Sequence, residues 1–126
     1  MVDYITDADA PEAIGPYSQA TVAGGFAFLS GQIPIDPKTS QLVEGGIEAQ
    51  CKQVMSNLRA VLSRLELGFK DVVRAEIFLK DMNDFQVVNT IYGDELGGVC
   101  PARQTVEVAR LPRDVLVEIS MIAVTG

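Results

Sequence analysis

The spacing of apolar and polar positions changes along this chain, and each change marks a new element. From Ile47 to Leu67 the residues Ile47, Cys51, Val54, Met55, Leu58, Val61, Leu62 and Leu65 recur every three or four places, with Glu48, Lys52, Gln53, Arg59, Arg64 and Glu66 largely outside the stripe. That period predicts an amphipathic helix with its stripe on a core, ended by Gly68. Val72 to Lys80 alternates instead, with Val73, Ala75, Ile77 and Leu79 against Arg74, Glu76, Phe78 and Lys80, which is the period of a half-buried strand. Asp81 to Asp84 then supply a turn and an N-cap, and Phe85, Val88, Tyr92 and Leu96 mark a second helix that stops at Gly97-Gly98. Upstream, Phe26 to Ser30 reads as a short buried strand running into a bulge or close approach at Gly31, followed by a turn-rich segment from Pro34 to Ser40.

The last stretch, Pro101 to Gly126, contains two extended runs around Leu111-Pro112-Arg113-Asp114 and predicts an antiparallel hairpin. In that register Arg103 lies opposite Ser120 and Thr105 opposite Glu118. Those four side chains would share one face, with Val106, Val108, Val117 and Ile119 on the other. The order strand, strand, helix, strand, helix, strand, strand specifies a single α+β domain over residues 1–126, a sheet with two helices on one face. The final strand is apolar on both sides: Val115, Val117, Ile119, Met121 and Ala123 on one, Leu116, Ile122 and Val124 on the other. One helical layer covers one face, so a homo-oligomer is predicted to cover the second.

Composition narrows the function. The chain has 126 residues, 10 Lys and Arg against 17 Asp and Glu, a net charge of -7 and no histidine. The charge makes nucleic acid and anionic membranes poor partners. The missing histidine removes imidazole bases, His-dependent triads and His-rich metal centres. No apolar run is long enough to span a bilayer and the acidic start lacks a signal or transit pattern, so a soluble, cytoplasmic protein is expected. Cys51 and Cys100 have neither metal-site nor redox-pair spacing and read as free thiols.

Arg103 and Glu118 stand out because each interrupts a strand-like apolar run, where burying a charge costs several kcal/mol unless something compensates it. An ion pair would do so, and so would a binding site. Gly15-Pro16-Tyr17-Ser18-Gln19-Ala20 reads as a loop entering a strand, with Tyr17 presenting a ring with a polar tip.

Taken together, Gly15 to Ala20, Ser30-Gly31-Gln32, Pro101-Ala102-Arg103 and Val117-Glu118-Ile119 resemble the reactive intermediate deaminase family, also called RidA or YjgF, over nearly the whole chain. The resemblance implies a chorismate-mutase-like fold, a homotrimer with pockets at the subunit interfaces, and cofactor-free hydrolysis of 2-imino acids from pyridoxal-phosphate enzymes to 2-oxo acids and ammonia. It assigns Arg103 to the substrate carboxylate, Glu118 to the attacking water, Tyr17 to an aromatic wall, and Ser30 and Gly31 to the pocket lining. Thr105 would help hold water through its backbone carbonyl. Gln104 and Thr105 depart from the family, which usually has a small residue and often a cysteine there; alternation turns Gln104 away from Arg103. The alternative is a non-catalytic trimer that binds small carboxylates such as 2-oxo acids. A chorismate mutase is disfavoured, since its dianionic substrate needs several converging cations.

Overall fold

A computed structural model describes residues 1–126. The strands are β1 (Asp3–Ile5), β2 (Ala20–Ala23), β3 (Phe26–Gln32), β4 (Ile35–Asp36), β5 (Gln41–Leu42), β6 (Val72–Leu79), β7 (Ala102–Glu107) and β8 (Val117–Val124), and the α-helices are α1 (Ile47–Arg64) and α2 (Phe85–Leu96). Six strands form one sheet in the order β1-β2-β3-β8-β6-β7, and β4 and β5 form a separate small ribbon. Only β6 and β7 run parallel, joined through α2 as a β-α-β unit, so the sheet is mixed. No helix is long and apolar enough to cross a membrane.

The C-terminal hairpin does not form. β7 pairs with β6 at the sheet edge, whereas β8 inserts between β3 and β6. Burial explains the choice: every second residue of β8 is buried, as a central strand requires, while β7 has no fully buried residue and takes an edge. The Leu111 to Asp114 segment therefore carries the chain across β6 instead of folding it back. It does so through a 3-10 turn in which Arg113 and Asp114 adopt φ of 55° and 57°, a left-handed conformation that costs non-glycine residues energy.

Helix α1 buries Cys51, Val54, Met55, Leu58, Val61 and Leu62, as its stripe predicts, but ends at Arg64. The Leu65 and Leu67 amides both donate to the Leu62 carbonyl (2.9 Å each), and Glu66 turns left-handed at φ 61°. Gly68 instead opens the next 3-10 turn. In β6 a register shift between Val72 and Arg74 leaves Val73 exposed and puts Val72 in the core.

Two buried amides absent from the apolar pattern pin the loops. Asn57 donates to the Ile33 and Ile35 carbonyls (3.2 and 3.0 Å), tying α1 to the chain after β3. Gln19 donates to the Asp7 and Pro11 carbonyls (2.9 and 2.7 Å), fixing the N-terminal loop against β2. Such bonds remove the penalty of leaving buried polar atoms unpaired. The sheet face away from the core carries Tyr4, Thr21, Phe28 and Ile122 in register, with Phe26 and Phe28 remaining 41% and 44% exposed.

Candidate functional site

Glu118 is placed by backbone geometry. Leu29 pairs with Met121 and Gln32 with Ile119, so Ser30 and Gly31 together face only Ser120, forming a bulge in β3. A Cβ added at Gly31 would lie 2.1 Å from Glu118 Oε2, which means the carboxyl group occupies the space that any other residue would fill. The bulge is anchored beside it: the Ser30 hydroxyl donates to the Ser18 carbonyl (2.6 Å) and the Ser30 amide to the Gln19 carbonyl (2.9 Å). Burial alone pushes the Glu118 carboxyl above its ordinary pKa, and no cation stands within ion-pair distance of it.

Arg103 is placed by side chains. Its Nη1 donates to Asn89 Oδ1 at 2.7 Å, and its guanidinium carbon lies 5.7 Å from the Phe85 ring centre and 5.2 Å from that of Tyr92. All three partners project from α2 at helical spacing, so one helix face grips the arginine. Arg103 makes no salt bridge. Burial raises the Tyr92 pKa, with Arg103 pulling the other way, and the Tyr92 hydroxyl and Thr105 Oγ1 are buried without a hydrogen-bond partner.

The expected common face is not observed. Arg103 and Thr105 pair with Ala75 and Ile77, on the helix side of the sheet, while Glu118 pairs with Phe78 and Ser120 with Glu76, on the open side. The hairpin register would have aligned the four; parallel pairing of β7 to β6 separates them. Gln104 does face away from Arg103, and on the open side it accepts a hydrogen bond from Arg74 at 3.3 Å.

Tyr17 sits in the loop before β2, 51% exposed, and shares a cleft of about 520 Å³ with Tyr4, Thr21, Phe28 and Ser30. Ser30, Gly31, Tyr17 and Glu118 thus gather on the open side, whereas Arg103 and Thr105 form a second group at the β7 edge. The apolar pattern does not mark Asn89, although Phe85, Asn89 and Tyr92 at intervals of four and three residues place one amide between two rings. No group of three or more His, Cys, Asp or Glu side chains could hold a metal ion.

The family model described as Endoribonuclease L-PSP matches residues 7–125. The chain belongs to this family, the one also known as RidA or YjgF. Among RidA-family relatives, a RutC family protein of Pyrococcus horikoshii is 50% identical over 98% of this chain and 98% of its own. The 2-iminobutanoate/2-iminopropanoate deaminase of Mus musculus is 45% identical, covering 97% of this chain and 90% of its own. A crystal structure of a Rid-family protein of unknown function from Yersinia pestis is 46% identical, with a TM-score of 0.96 over 98% of this chain and 99% of that one. The RidA fold is therefore the frame that holds Glu118 and Arg103 apart.

Proposed function

We propose that this protein is a 2-iminobutanoate/2-iminopropanoate deaminase of the cytoplasm, acting without a cofactor as a homotrimer with its pockets between subunits. One observation carries the reading: Glu118 and Arg103, each without a counter-charge, stand on opposite faces of one sheet. A single copy does not offer both to one small ligand. A second copy laying its β7 edge against the open face does, and Phe26 and Phe28, exposed on that face, give the contact apolar area to bury. The deaminase name of the mouse relative supports the same activity.

The chemistry follows from the groups. Arg103 holds the substrate carboxylate with parallel charge-assisted hydrogen bonds, its plane fixed by Asn89 and two rings. Glu118, its pKa raised by burial, is suited to exchange a proton with water and with the imine nitrogen. It takes one proton from water as the oxygen adds to the imine carbon. It returns that proton to nitrogen to give a carbinolamine, then carries the hydroxyl proton to the same nitrogen, so that the C–N bond breaks and ammonia leaves as the 2-oxo acid forms. Imines hydrolyse in water unaided, so positioning and proton transfer are sufficient gains. The nuclease activity named in the family's description is disfavoured by a net charge of -7, which repels a polyanion, and by the absence of histidine.

The test is release of 2-oxobutanoate from enzymatically generated 2-iminobutanoate, with semicarbazide competing for the imine. Wild type is expected to accelerate it, and folded Arg103→Ala to lose about 10²–10³-fold in kcat/KM. Binding of 2-oxobutanoate without acceleration of any imine would reject the enzyme and leave a carboxylate-binding trimer.

A further inference from the structure

We infer that Glu107 is a positioning residue for the deaminase site: it fixes α2 along β7 and, through α2, the Arg103 guanidinium that takes the substrate carboxylate. The inference rests on the deaminase reading and deepens it by naming what sets the aim of Arg103.

The register puts Glu107 on the right face. Arg103, Thr105 and Glu107 pair with Ala75, Ile77 and Leu79, so all three side chains stand on the helix side of the edge strand. Arg103 meets α2 through Phe85, Asn89 and Tyr92. Glu107 meets the chain just before α2, where its Oε1 accepts the Met82 N–H at 2.8 Å. From Arg103 to Glu107 the strand covers about 13 Å. From Met82 to Asn89 the helical chain covers about 11 Å. The two elements run antiparallel and are tied at both ends of that common span.

The start of the helical segment needs such an acceptor. Its first N–H groups have no partner within it, and the Asp81 side chain satisfies only the Asn83 N–H, at 2.9 Å. Met82 is left to a carboxylate 25 residues further along the chain. A charge-assisted bond there also lies favourably at the positive end of the helix dipole. Glu107 makes no salt bridge, so no cation competes for it.

The tie reaches Arg103 in two steps. The Met82 carbonyl accepts the Phe85 N–H that begins α2. The Phe85 ring, and the Asn89 amide one turn later, then hold the guanidinium. Val88, Ile91 and Leu96 press α2 onto the core, but apolar burial has no preferred direction along the strand. At its far end the helix enters β7 through Gly97 and Gly98, with φ of 60° and 99°, where the glycine backbone is permissive. The Glu107 bond supplies a directional tie that sets where Asn89 stands relative to Arg103, and small displacements of positioning groups are felt at the site.

The experiment measures kcat and KM for 2-iminobutanoate, with semicarbazide competing for the imine, in variants that keep the wild-type circular dichroism spectrum. Glu107→Ala, and Glu107→Asp with its shorter reach, should raise KM about five- to tenfold with kcat nearly unchanged. Glu107→Gln keeps an acceptor for Met82 and should stay within about twofold of wild type. In an Asn89→Ala background, Glu107→Ala should add less than about twofold, because its effect passes through a bond already removed. An unchanged KM in Glu107→Ala, or an effect that multiplies that of Asn89→Ala in full, overturns the proposal. A changed oligomeric state of Glu107→Ala by sedimentation also overturns it, giving the carboxylate to a contact between copies. Should wild type accelerate no imine, the deaminase reading falls, and the same comparisons in Kd for 2-oxobutanoate decide the role of Glu107. Binding unaltered in Glu107→Ala, or absent from wild type, overturns that role as well.

Discussion

Glu118 and Arg103 sit on strands separated only by β6, yet they are held by different means. Glu118 lies on a central strand, and its position follows from main chain: a bulge in β3 and the missing side chain of Gly31. Arg103 lies on an edge strand with no strand beyond it and depends on three side chains of α2. The backbone-defined half offers no side-chain contact to remove, because the space the carboxyl occupies is set by the bulge and by the bare Cα of Gly31. The side-chain-defined half can be loosened one contact at a time, so mutations should act more abruptly on the Glu118 side than on the Arg103 side.

The largest effect should come from recombining the halves. Arg103→Ala and Glu118→Gln are each expected to be nearly inactive. Unfolded together and refolded as an equal mixture, they should recover about a quarter of wild-type activity if each pocket takes its glutamate from one copy and its arginine from the next, since one random pairing in four restores both. No recovery in refolded mixed oligomers would show that the pocket does not draw its two charged groups from different copies.

Gly31→Ala tests the backbone-defined half. Its Cβ would stand 2.1 Å from Glu118 Oε2, so the carboxyl must swing aside while the rest of the bulge keeps its bonds. A displacement of that order should cost about 10²-fold in kcat/KM. The circular dichroism spectrum should remain that of wild type. Activity within a few-fold of wild type would mean that Glu118 does not work from the position over Gly31.

Asn89→Ala tests the other half more gently. Removing the 2.7 Å bond to Arg103 leaves both rings in place, so the guanidinium stays near its site but loses its fixed plane. KM for the imine should rise about tenfold with little change in kcat, the mark of weakened ground-state and transition-state binding alike. A fall in kcat at constant KM would give Asn89 a part in the chemical step instead.

The same contrast explains what could be read from the sequence. The stripe of α1, the stop of α2 at Gly97 and the irregularity at Gly31 were legible, because period and glycine chemistry act locally. The separate motifs also identified Arg103, Glu118, Tyr17 and Ser30 as candidates. The relation between Arg103 and Glu118 was not legible, because a turn at Leu111 to Asp114 looks alike whether it closes a hairpin or crosses a strand. Sheet order depends on which strand buries more, a comparison across the chain that no local pattern contains. Asn57 and Gln19 escaped for a related reason: their partners are loop carbonyls, which have no signature in a side-chain pattern.

The smallest effect separates the ring of Tyr92 from its hydroxyl. The ring packs against Arg103 at 5.2 Å, while the hydroxyl is buried with no hydrogen-bond partner. A buried polar atom left unpaired costs about 1–3 kcal/mol, whereas the cation–π contact belongs to the ring and survives in phenylalanine. Tyr92→Phe should therefore raise Tm by roughly 3–5 °C, taking about 1 kcal/mol as the gain in a domain of this size. The imine KM should stay within about twofold of wild type because the ring still holds the guanidinium. Tyr92→Leu removes the ring as well and should raise KM, so the pair of variants assigns stability to the hydroxyl and substrate binding to the ring. A lower Tm for Tyr92→Phe would mean that the hydroxyl gains a partner in the assembled protein. The Arg103 half would then be braced across subunits, bringing it closer in kind to the Glu118 half, whose space is defined by main chain.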